Sequence, residues 1–128
     1  MKSSLPRPTD AELAILRVLW ERGPSTVRQV HASLASGRPI GYTTVLKIMQ
    51  IMADKGLVER DETDRSHVYA ARMSEERTQR QLLADLLDRA FGGSALKLVM
   101  QALSSRKATP EELAQIRQML DDRERGTR

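Results

Sequence analysis

Residues 41–60 read GYTTVLKIMQIMADKGLVER. Val45, Ile48, Met49 and Met52 recur at i, i+3, i+4 and i+7, the spacing that gathers apolar side chains on one face of a helix. Thr43, Thr44, Lys47 and Gln50 then point the other way. A helix that merely faced water would more often interleave Glu and Lys there, whereas these residue types hydrogen-bond to phosphates and base edges. The period ends at Lys55 and Gly56, glycine being a usual helix stop, and Leu57 and Val58 lead into a strand. A helix from Tyr42 to Lys55 with a strand close behind it is how a winged helix-turn-helix reads in sequence.

The flanking segments fill in that pattern. Residues 9–12 (TDAE) have the form of a capping box, Thr9 bonding forward and Glu12 back, and Leu13, Leu16, Val18, Leu19 and Trp20 follow on a mostly buried face. Gly23 and Pro24 stop this first helix. A second is expected from Ser25, with Val27, Val30 and Leu34 inward, fading at Ser36 and Gly37, and residues 37–41 form the turn before the third. Beyond Gly56, the polar run 61–66 predicts a hairpin loop and His67, Val68, Tyr69 and Ala70 a return strand. Three helices and a two-stranded ribbon over residues 1–73 make a winged helix.

From Ser74 the character changes to all helix. Ser74 is an N-cap, and Glu75 and Glu76 suit the positive end of a helix dipole. Leu82, Leu83, Leu86, Leu87 and Phe91 line one stripe, Gly92 and Gly93 interrupt it, and Leu96, Val99, Met100 and Leu103 form a second. Thr109, Pro110, Glu111 and Glu112 open a third helix with proline at its first position, and Leu113, Ile116 and Leu120 face inward. Three amphipathic helices without a fourth leave apolar stripes that one chain struggles to cover. The fold class is therefore mainly α, a winged helix-turn-helix domain followed by a three-helix dimerisation domain over 74–128. A homodimer would also present two recognition helices to two half-sites.

Composition narrows the function. At 128 residues the chain has room for a modest core but not for a deep catalytic cleft. Its lack of cysteine excludes disulfides and thiolate metal sites and fits a reducing cytoplasm. Arg and Glu interrupt every apolar run short of the roughly 20 residues a bilayer needs, so no membrane insertion is expected. The net charge of +4 is mild, but between positions 22 and 60 six cations (Arg22, Arg28, Arg38, Lys47, Lys55, Arg60) face two acids (Asp54, Glu59). A basic excess beside a candidate recognition helix is the footprint expected for binding a phosphate backbone.

TDAELAILRVLW (9–20), YTTVLKIM (42–49) with KGLVER (55–60), VYAA (68–71), and GGS (92–94) followed by TPEELAQIRQML (109–120) together resemble the BlaI/MecI family of penicillinase and methicillin-resistance repressors. The resemblance covers nearly the whole chain. It implies a homodimeric transcriptional repressor on an inverted repeat, released by cleavage in its dimerisation half after a membrane-bound sensor metalloprotease detects an antibiotic. Two departures from the pattern stand out: Ile51 and Met52 stand where relatives carry arginine and leucine, and Gln101 and Ala102 where they carry an asparagine–phenylalanine cleavage pair. The cysteine cluster of the copper-responsive relatives has no counterpart.

Candidate DNA contacts are Tyr42, Thr43, Thr44, Leu46, Lys47, Gln50, Arg60 and Arg65. Thr43 and Thr44 would meet bases or phosphates, or only cap the helix; Lys47 and Gln50 sit where long side chains reach base edges. Tyr42 either packs on the preceding turn or lays its hydroxyl on a phosphate, and Leu46 meets a thymine methyl or packs under the wing. Arg65, with Arg60 at the wing's base, would reach the DNA backbone or minor groove. His31 and His67 have no partner at ligand spacing and read as structural or solvated, and Trp20 and Phe91 as core anchors. No metal site or cofactor is expected. Without a Ser, His and Asp arrangement, HExxH, or a phosphate-binding glycine loop, an enzyme is rejected. The alternatives to a repressor are a winged-helix protein-interaction module and, more weakly, a small-molecule sensor.

Overall fold

The computed structural model describes residues 7–37 and 39–126, so Arg38, one of the six cations above, lies outside the described residues. These residues form six helices and three strands in the order α1 (Asp10–Arg22), β1 (Ser25–Thr26), α2 (Val27–Ala35), α3 (Tyr42–Lys55), β2 (Val58–Asp61), β3 (Val68–Ala71), α4 (Glu75–Phe91), α5 (Ala95–Ser105) and α6 (Pro110–Gly126).

Local chemistry sets the boundaries. Thr9 Oγ1 accepts from the Glu12 N–H at 3.2 Å and Glu12 Oε1 accepts from the Thr9 N–H at 2.9 Å, closing the expected capping box. Gly23 (φ 88°) ends α1. The second helix begins two residues later than expected, because Thr26 holds extended geometry and caps α2 reciprocally with Gln29. Ser25 and Thr26 are thereby free to pair with Tyr69 and Val68. The predicted two-stranded ribbon is consequently a three-stranded antiparallel sheet, order β1-β3-β2, with Arg60 opposite Tyr69 across β2 and β3. Gly56 (φ 85°) supplies the left-handed turn between α3 and the wing, a conformation that costs a residue with a Cβ.

The core of the winged helix joins Ile15, Leu16 and Leu19 of α1, Val27 and Val30 of α2, Val45, Met49 and Met52 of α3, and Leu57, Val58 and Tyr69 of the wing. Within α1, Ile15 is fully buried while Leu13 is half-buried, a shift of the expected face toward the centre of the helix. Trp20 packs against this core and donates its indole N–H to the Met73 carbonyl at 2.9 Å. Glu12 is buried too, and Lys55 Nζ meets its Oε2 at 2.7 Å, tying the start of α1 to the end of α3. Burial pushes the Glu12 carboxyl up, but hydrogen bonds from Lys55 and Thr9 outweigh it and hold the group below its ordinary value.

The chain divides into two compact units that meet between Leu83 and Ala84, inside α4. Thr78, in the second turn of α4, is buried. The second unit comprises the rest of α4 with α5 and α6, entered through the caps of Ser94 on the Lys97 N–H and of Thr109 on the Glu112 N–H. None of its described residues is buried. Leu87, Phe91, Leu98, Leu113 and Ile116 are half-buried, and Leu86, Leu96, Val99, Met100, Leu103, Met119 and Leu120 are exposed. No described helix is long and apolar enough to cross a membrane.

Candidate nucleic-acid interface

The candidate interface is built on α3. With Val45, Met49 and Met52 fully withdrawn from solvent, the opposite side presents Thr43, Thr44, Lys47, Gln50, Ile51 and Asp54, all exposed. Gly41 is its N-cap and makes no side-chain cap, and the first turn carries no acidic residue. Thr43 and Thr44 therefore do not cap the helix, and its leading N–H groups remain open to an external acceptor.

Beside this face runs a cleft of about 380 Å³. It is lined by Thr26 of β1 with Val27 and Arg28 from the start of α2, by Tyr42, Leu46 and Gln50 of α3, and by Arg65, Ser66, His67 and Tyr69 of the wing. Four of the predicted contacts, Tyr42, Leu46, Gln50 and Arg65, are thus brought together. Thr43, Thr44 and Lys47 stand on the adjoining exposed face of α3. Leu46 is half-buried against the core, in keeping with packing toward the wing. The Tyr42 ring meets His31 edge-on at 5.8 Å, and His31 Nε2 contacts the Ile40 carbonyl oxygen at 2.8 Å, so His31 is a structural residue that braces the entry to α3.

Available charge decides what this surface attracts. Arg28, Lys47 and Arg65 form no ion pair with any described acid. Arg60 differs: its Nε donates to Glu62 Oε2 at 2.6 Å. Hydrogen bonding to Tyr69, then Glu62, raises its guanidinium further above the ordinary arginine value. Asp61 accepts from the Thr63 N–H and hydroxyl at 3.0 and 2.8 Å, which lowers its carboxyl and folds the wing tip into an Asx turn. With Asp61, Glu62 and Asp64 nearby, Arg65 is the cation the wing tip can offer. Arg28 was absent from the predicted contacts, although its place two residues beyond a threonine cap put it at the head of α2. Among the described residues, no group of three His, Asp or Glu side chains is disposed to hold a metal.

The family model described as Penicillinase repressor matches residues 8–122. The chain belongs to the penicillinase repressor family. The Transcriptional regulator BlaI of Mycobacterium tuberculosis is 39% identical over 89 residues, a match covering 69% of this chain and 64% of that protein's length. The Penicillinase repressor of Bacillus licheniformis is 21% identical over 118 residues, covering 92% of each chain. The solution structure of the DNA binding domain of the repressor BlaI superposes with a TM-score of 0.51 at 24% identity, covering 59% of this chain and 90% of that one. The winged-helix fold of the family is therefore that of this chain, and the exposed face of α3 and its flanking cleft lie within residues 8–122, which the family model matches.

Proposed function

We propose that this chain is a homodimeric transcriptional repressor that binds double-stranded DNA at an inverted repeat, α3 entering the major groove of each half-site. The observation that carries the reading is the two-faced character of α3: one side sealed in the core, the other exposed and mostly polar, with Lys47 on it, and Arg28 and Arg65 beside it, ion-paired to none of the described acids. Base edges in the major groove accept and donate hydrogen bonds to such side chains, while the flanking cations suit phosphates. Residues 74–128 supply the dimer, a role supported by seven exposed large apolar side chains in the second compact unit, from Ala84 on, where no described residue is buried. The DNA binding named for the solved relative, the transcriptional regulation named for the Mycobacterium tuberculosis protein and the repression named for the Bacillus licheniformis one point the same way.

Release is assigned to cleavage at Gln101 and Ala102 by a sensor metalloprotease. Both residues are exposed on α5, and the Ser104 and Ser105 hydroxyls draw on the Met100 and Gln101 carbonyls at 2.7 and 2.8 Å, a local competition that loosens a helix end. Fluorescence anisotropy with a duplex pool, repeated as salt rises, tests the DNA reading. A repressor loses affinity steeply with salt through counterion release. Binding that is flat with salt, or absent, would favour a protein-interaction module.

A further inference from the structure

In the winged helix, large hydrophobic side chains are buried or half-buried with two exceptions among the described residues before Leu83: Tyr42, 44% exposed, and Ile51, 40% exposed. Isolated apolar groups scattered over a surface need no explanation. These two are not scattered, since both stand on α3. Tyr42 has a partner in His31 and a place in the cleft. Ile51 lies outside that cleft, on the stripe one turn beyond Lys47 and two turns beyond Thr44, where its exposed neighbours Lys47, Asp54 and Lys55 are all charged and Ile48, at i−3, turns in toward the core.

An sec-butyl group gains nothing from a phosphate oxygen, and the apolar feature of the major groove is the C5-methyl of thymine. A β-branched side chain on a helix is already confined to one main rotamer, so little freedom is lost when it is pressed against that methyl. We infer that Ile51 is a specificity-determining residue that packs on a thymine methyl within each half-site. The inference rests on the docking of α3 proposed above and adds a base preference to it.

The test uses the full chain and its selected duplex, replacing single thymines in one half-site with uracil, which removes only the methyl. Anisotropy is measured for the parent, Ile51→Ala and Leu46→Ala. At one thymine, uracil is expected to weaken the parent about fourfold, the equivalent of burying one methyl group at about 0.8 kcal/mol. Ile51→Ala should be indifferent to that change, and Leu46→Ala should still feel it. Indifference of the parent at every thymine would overturn the inference while leaving DNA recognition standing. So would a uracil effect that survives Ile51→Ala and disappears in Leu46→Ala. A parent that binds no duplex at all would overturn the docking of α3 together with the inference.

Discussion

Lys47, Gln50, Arg60 and Arg65 all looked like DNA contacts in the sequence, yet their surroundings separate them. Lys47 and Gln50 stand free on the outward face of α3, and replacing either by alanine should weaken specific binding by about 1 to 3 kcal/mol while binding to random duplex changes less. Arg65 has no acidic partner among the described residues, and Arg65→Ala should lower the slope of log affinity against log salt by about two, one for each copy in the dimer. Arg60 is already held by Glu62, so Arg60→Ala should leave that slope near the parent's. Anisotropy at several salt concentrations reads all four. Glu12 makes a different prediction. Its folded carboxyl titrates below the ordinary 4.5, so the stability it contributes is fully present above that pH and is lost as falling pH carries the group through its folded value. Glu12→Gln keeps an acceptor for the cap but loses the charge facing Lys55. It should cost about 1 to 2 kcal/mol at neutral pH. Denaturant melts should also show a smaller drop for this variant between pH 6 and 3.5 than for the parent, and an unchanged drop would remove Glu12 from the account.

Among the elements, α3 was the most legible, since its period, its glycine stop and its contrast of faces all agree, and it spans Tyr42 to Lys55 as expected. β1 was not legible. Two residues, Ser25 and Thr26, carry no alternation to read, and their strand exists because β3 lies beside them, which is tertiary context rather than local preference. The same reason hid the place of Arg28 in the cleft, which it lines together with residues of the wing and which no spacing within α2 announces. The partnership of Arg60 and Glu62, only two residues apart across a bend, was equally invisible to a count of charges. Gly56 offers a test at this scale. An added Cβ would find its nearest neighbour, Arg72 Nη1, at 3.7 Å, which is ordinary contact, so the cost of Gly56→Ala is conformational. With φ at 85°, that cost should be about 1 to 2 kcal/mol in chemical denaturation. A neutral result would mean that the turn into the wing relaxes to another geometry.

At the scale of the molecule, the two units pose opposite problems. The winged helix closes its own core, whereas α5 and α6 leave Leu96 at 69% and Met119 at 67% exposure, with Val99, Met100, Leu103 and Leu120 also uncovered. Burial of such groups is worth about 25 cal/mol per Å² of apolar surface, a strong drive for two chains to share what one cannot cover. Light scattering should accordingly give the parent twice the 14.4 kDa of one chain, and Leu86→Asp should shift it toward the single-chain mass with a loss of operator affinity that follows from the lost pairing. An unchanged mass would place the contact elsewhere. The central claim, that paired copies read an inverted repeat through α3, is tested most directly by selecting duplexes from a randomised pool with the full chain and sequencing what is retained. The prediction is a palindrome whose half-site preference is blurred at defined base pairs by Lys47→Ala and Gln50→Ala. Retention without any shared sequence, or a half-site preference unaltered in both variants, would contradict it.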